Sequence, residues 1–261
     1  MTSLMEYLGL LAECMRFLAV SNGAKFAIAL LVGIAVGALG YWLSSASTQF
    51  WNRSHHLRTG HHVICAIAAF VTVIFTLVYV SSDYIGEVAK RTIHDWQDQA
   101  MADSDWQHEL FIRAYDAVSK SGLEDMTGVS NPRVDPASTV PINKWETRML
   151  VAQVYSQGAL QDFARSHPFL NSALQSGTQV PEDEIKDDLV NFFKGDPGSK
   201  TYPTQRAVTI ATGYLESQAQ DQLPAIQNYT QRVTLALFVV VQLLVFTIIS
   251  LAAHRSLSAT V

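Results

Sequence analysis

Three long stretches of this chain carry no charged residue: Phe26 to Leu43 (FAIALLVGIAVGALGYWL), Val63 to Val80 (VICAIAAFVTVIFTLVYV) and Val233 to Ala253 (VTLALFVVVQLLVFTIISLAA). A hydrocarbon core of ~30 Å takes about 20 residues of helix at 1.5 Å each, so each stretch is long enough to span a bilayer. Charge-free runs of this length are poor candidates for buried helices of a water-soluble domain. The expected fold is therefore an all-α membrane protein with three transmembrane helices. The first apolar run is longer than the h-region of a signal peptide and is soon followed by a second span, so it is expected to remain in the mature protein.

The chain divides accordingly. Residues 1–22 are read as an amphipathic interfacial helix, with Leu4, Leu8, Leu11, Met15 and Leu18 recurring at spacings of four and three. Transmembrane helix 1 is expected over 24–44, a short loop containing His and Arg over 45–61, and transmembrane helix 2 over 62–82. An extra-membrane helical-bundle domain over 83–231 then sits between the second and third spans. Transmembrane helix 3 over 232–254 and a short tail over 255–261 complete the chain.

The inserted domain is acidic. It holds 21 of the 23 Asp and Glu residues against 12 Lys and Arg, a net charge of −9. Such a surface repels a phosphate backbone, and no nucleic-acid partner is expected. Its sequence reads as helix: Tyr84, Val88, Trp96, Trp106, Leu110, Ala114 and Val118 lie on one stripe, with an irregularity near Ala102–Asp105. The Gly-, Pro- and Asn/Asp-rich stretch SGLEDMTGVSNPRVDPASTVP ends that stripe. A second helix is expected from Pro141 to His167, a third from Pro181 to Gly195, and a last from Pro203 into the third span, bent at Pro224.

Candidate chemistry is sparse. Four histidines, His55, His56, His61 and His62, fall within eight positions before the second span. On a helix His61, His62 and Cys65 have spacings that allow convergence, and His254 at the end of the third span lies on the same membrane face. Imidazole and thiolate suit zinc or copper, and two histidines suit haem. The competing reading is an interfacial collar, where His, Arg and aromatic side chains sit because they are amphipathic. The collar is preferred here, and no cofactor is expected; a transition metal or haem is the alternative.

Ala29, Gly33 and Gly37 form a small-xxx-small ridge that lets another helix backbone approach, either within the chain or from a second copy. Gln242 is the one strongly polar side chain near the middle of the third run, and Thr72 or Thr76 could accept its hydrogen bond. Without Asp, Glu, Lys or Arg inside the three runs, a proton or ion path through this chain is not expected. No GxSxG, HExxH, CxxC or phosphate-loop pattern occurs.

The layout of span, helical domain and span is similar to that of helical-bundle sensor domains in bacterial receptors, in outline only. Expected partners are the lipid bilayer and either a protein or further copies of this chain. Three functions follow in order of preference. The first is a non-enzymatic membrane protein whose domain binds a partner or senses a ligand within a membrane complex. The second is a metal- or haem-binding subunit of a redox or transport complex, and the third a pore-forming oligomer. The number of Lys and Arg near the membrane favours a cytoplasmic domain and their density in the short loop an outward one; the short loop is given more weight, and the expectation is a bacterial inner-membrane protein with residues 83–231 on the extracytoplasmic side.

Overall fold

The computed structural model describes residues 2–51, 59–135, 137–174, 179–195 and 202–258. Among them there is helix and no strand: α1 (Thr2–Ser21), α2 (Gly23–Trp51), α3 (Thr59–Ser81), a 3-10 turn (Ser82–Tyr84), α4 (Ile85–Ala102), α5 (Ser104–Ser121), α6 (Trp145–Ser166), α7 (Pro168–Leu174), α8 (Gln179–Gly195) and α9 (Thr204–Ser258). Three stretches among the described residues are helical, long and apolar enough to cross a membrane: Gly23–Ala46 in α2, Thr59–Ala102 running from α3 through the 3-10 turn into α4, and Thr204–His254 in α9, which fits an integral membrane protein.

The chain forms two compact units. One comprises Leu8–Val88 and Pro224–Val261, the other the residues up to Tyr7 together with Ala89–Leu223.

In the first unit α2 packs along α3. Helix α3 in turn meets α9 through Cys65, Ala68, Val245 and Ile249, with Tyr41, Ile64 and Val241 at the margin. Most other side chains of the three spans are exposed, among them Ile28, Leu31, Phe70, Leu237 and Leu244. That is the pattern of helices whose outer faces meet hydrocarbon rather than water. Helix α2 continues to Trp51 and α3 already begins at Thr59, so the connection between them is shorter than the expected loop 45–61. The SSASTQF segment contains no Gly or Pro that would stop a helix leaving the membrane.

Helix α1 buries only part of the expected stripe, Leu11 and Leu18, and the inward side is rotated to take in Leu10 and Cys14. Leu10, Leu11, Cys14 and Leu18 are buried, whereas Leu4 and Leu8 are 60% and 51% exposed. Apolar residues cover more than half of this helix, so the pattern alone does not select the inward part. Burial, aided by the neighbouring Glu13 charge, pushes the Cys14 thiol up to about 12, which leaves it protonated and unreactive at neutral pH.

The second unit has a core of Leu110, Ala114 and Val118 from α5, Val151, Ala152 and Tyr155 from α6, and Ile185 and Leu189 from α8, closed by Tyr202 and Ala207. The irregularity between α4 and α5 is a helix break with its own cap: the Asp103 side chain accepts the Trp106 N–H at 2.9 Å. Gly122 ends α5 in the left-handed conformation at φ 64°. The loop that follows is held by a series of Asx turns, Asp125 to Thr127, Asn131 to Arg133 and Asp135 to Ala137, each at 2.9 Å. Arg133 then grips Asp116 of α5 with both guanidinium nitrogens, at 3.0 and 2.7 Å.

Helix α6 starts at Trp145 rather than Pro141, because Lys144 before it is extended (φ −85°, ψ 151°). Helix α7 was not anticipated: α6 ends before His167, and Pro168 occupies the first position of a new short helix.

Candidate functional site

Several side-chain clusters rise above ordinary packing, and the first lies within the membrane spans. Ala29 is buried, and Gly33 and Gly37 face α3 of the same chain. A methyl group at Gly33 would stand 3.1 Å from Val73 Cα, and one at Gly37 only 2.8 Å from the Ala69 carbonyl oxygen. Glycine is required here because two backbones come together, and the ridge is occupied by the protein's own second span. Gln242 of α9 donates through Nε2 to Thr72 Oγ1 at 2.7 Å, while Thr72 donates to the Ala68 carbonyl at 2.8 Å. Its Oε1 lies 2.9 Å from where a Cβ of Gly40 would stand.

Removing one partner of the Gln242–Thr72 bond should cost on the order of 1 kcal/mol, the usual worth of such a bond in lipid. A double-mutant cycle of Gln242→Leu and Thr72→Val, read by thermal unfolding in detergent, measures it. Strictly additive effects would show that the bond contributes no coupling.

The histidine collar is described only in part, since His55 and His56 lie outside the described residues. His62 is exposed and its Nδ1 is 2.5 Å from the Tyr41 hydroxyl, the two rings stacking with centroids 6.1 Å apart. His61 is half-buried and His254 exposed, whereas Cys65 is buried in the α3–α9 cluster. Among the described residues no group of three His, Cys, Asp or Glu side chains is arranged to hold a metal ion. Tyr41 was not picked out from the sequence. Its place near one end of the first apolar run, where aromatic side chains anchor, was the available signal.

A second cluster surrounds the 3-10 turn Ser82–Tyr84, where the second span gives way to α4. Asp83 Oδ1 accepts hydrogen bonds from Gln227 and Gln231 of α9 at 3.0 and 2.9 Å. The Tyr84 hydroxyl accepts from Asn22 Nδ2 at 3.3 Å, its ring packs against Phe17 at 5.4 Å, and Lys25 Nζ lies 5.8 Å above it. One three-residue turn thus ties together α1, the start of α2 and α9. The glutamine pair four residues apart was its only trace in the sequence; nothing local links it to Asp83, more than 140 positions away.

In the other unit, Asp188 of α8 accepts two bonds from the Arg206 guanidinium, at 2.7 and 2.5 Å, and one from the Tyr202 hydroxyl at 2.5 Å. The Arg206 bonds hold the Asp188 carboxyl below its ordinary value of 3.8; Tyr202 assists and burial opposes. Its stabilising contribution is complete above pH 4 or so and disappears as pH falls through the lowered folded value. The stability gap between the protein and its Asp188→Asn variant should therefore be widest near neutrality and shrink in acid, as denaturation curves at several pH values would show. A gap independent of pH would mean the carboxylate is not paired.

At the start of α1, Glu6 accepts the Phe169 N–H at 2.5 Å, and the Tyr7 ring packs on Phe169 at 5.1 Å. Neither this contact nor the Asp188 cluster has a sequence signature, because each joins residues brought together only by folding. Compared with models of protein families, with curated proteins and with solved structures, the chain matches none.

Proposed function

We propose that this is a non-enzymatic integral membrane protein of the bacterial inner membrane. Its acidic helical domain, 83–231, is inserted between the second and third spans on the extracytoplasmic side and engages a protein partner or senses a ligand within a membrane complex. What supports the reading is the tie at Ser82–Tyr84. The turn follows directly on α3, and side chains of α1, α2 and α9 bond or pack on Asp83 or Tyr84, so a displacement of this turn acts on α1 and on the three spans α2, α3 and α9 together. A rigid element on which several helices converge is a physical means of passing a binding event into a membrane bundle.

The reading is tested in native membranes. A photoreactive residue at Met149 or Val134, both exposed, is expected to give a discrete adduct with one protein species, or with a second copy. The purified protein should have a mass above the 28.8 kDa monomer. A monomer that crosslinks to nothing overturns the proposal. The side of the membrane is read separately, with Val134→Cys in a background carrying Cys14→Ala and Cys65→Ala. Labelling by a membrane-impermeant thiol reagent in intact cells is expected; labelling only after lysis would place the domain in the cytoplasm.

A further inference from the structure

The seam between α2 and α9 is open. Helix α2 is drawn tightly onto α3 by Gly33 and Gly37, while α9 reaches α3 through Cys65, Ala68, Val245 and Ile249. Two cavities remain beside this seam, one of about 330 Å3 between α2 and α9 and one of about 190 Å3 where α3 joins them, both open to the outside of the helices and both lined by Val36 and Phe238. The larger is walled by Leu39, Gly40, Leu43, Val239, Leu243 and Phe246, and the smaller by Phe75, Tyr79 and Leu235.

We propose that this seam is a binding site for the hydrocarbon chain of a membrane lipid, lying along α2 and α9 past the narrowing at Val36 and Phe238. The depth requires an apolar occupant, since every wall residue belongs to a segment apolar enough to cross the membrane. Gln242 donates to Thr72 and Thr76 to the Thr72 carbonyl at 2.9 Å, and the remaining polar side chains of the seam, Ser44, Thr234 and Tyr79, bring no basic group for a phosphate headgroup.

Shape selects a chain over a helix. A helix with its side chains is about 10–12 Å across and needs an uninterrupted trough. Two pinched cavities of this size admit one flexible chain, which can bend at the narrowing. Left unfilled, the walls would lose their dispersion contacts on one side. Gly40 keeps the larger cavity open, because any side chain there would project towards Gln242. The site is independent of the domain's partner.

The experiment reconstitutes the full chain in phosphatidylcholine–phosphatidylglycerol vesicles containing a phospholipid with a photoreactive acyl chain, and maps the adducts by peptide mass spectrometry. Leu39 and Leu243 are 54% and 59% exposed, against 66% and 48% for the outward Leu31 and Leu237, so random lipid collision would label the two pairs alike. Adducts are expected to be several-fold enriched at Leu39, Leu43, Val239 and Leu243. Gly40→Leu should abolish the enrichment while labelling at Leu31 persists. Should Gly40→Leu fail to fold, Val239→Phe fills the same cavity from α9 and is expected to do the same. Equal labelling of seam and outward positions overturns the proposal. So does a seam protected from lipid and crosslinked to a second copy, which would make it a subunit interface.

Discussion

Phe163→Ala is expected to destabilise the second unit by about 3–5 kcal/mol, the range for deleting a fully buried aromatic ring. Phe163 is 0% exposed on α6, so the loss combines the transfer energy of the ring with the cost of the cavity it leaves. The Trp96 indole packs edge-on to it at 5.4 Å and 75°, while donating through Nε1 to Asp162 at 3.0 Å. The His167 ring lies 5.3 Å from that of Phe163, tilted at 45°. Removing Phe163 therefore frees two rings that lie against it, and the near-ultraviolet circular dichroism of Trp96 should weaken along with the melting temperature. An unchanged tryptophan signal with a normal melt would show that the α4–α6 contact is not formed as described.

The second large effect is expected in the membrane spans. Gly37→Leu places a side chain where even a Cβ would stand 2.8 Å from the Ala69 carbonyl oxygen and 3.2 Å from its Cα. Overpacking commonly costs 1–3 kcal/mol, and this case should reach at least the upper end, because the obstacle is backbone rather than a side chain that can swing away. Gly37→Ala should fall lower in that range. Gly23→Ala is the control, since nothing lies within 4 Å of its Cβ position, and it should melt like the parent protein. If Gly37→Leu also melted like the parent in detergent, α2 and α3 would not meet through this face.

The membrane unit was the more legible part. A run of about 20 apolar residues announces a span without reference to anything else in the chain, because the bilayer, not a neighbouring helix, is its solvent. The ridge of Ala29, Gly33 and Gly37 was visible for a related reason: only small residues at a spacing of four allow close approach. Which helix would use the ridge was not visible. Folding answered it, through the register that puts Gly37 over Ala69.

The helical domain was legible as helices and turns but not in their assembly. Gly122, Asp103 and the Asx turns act within a few residues, so their meaning is local. Pro168 shows the limit of local reading, since the same residue type can close one helix or open the next.

The histidine block shows the limit from the other side. Four histidines in eight positions suggest a common site, yet spacing does not reveal that His62 bonds Tyr41 or that Cys65 turns into the α3–α9 cluster. The Asp83 turn was barely readable, because its partners are distant in the chain and each is an ordinary polar residue, Asn22 at the α1–α2 junction and Gln227 and Gln231 on α9.

By itself, then, the sequence determined which segments are apolar enough for lipid, the helical class and several of the helix ends, though not the start of α6 or the presence of α7, and these features depend on composition and on neighbours within about a turn. Only the tertiary structure decided which faces meet: the inward side of α1, the glycine ridge on α3, the glutamines on Asp83 and the open seam beside Gly40. Those choices are made by the mutual fit of surfaces from distant parts of the chain, and such fit has no local signature.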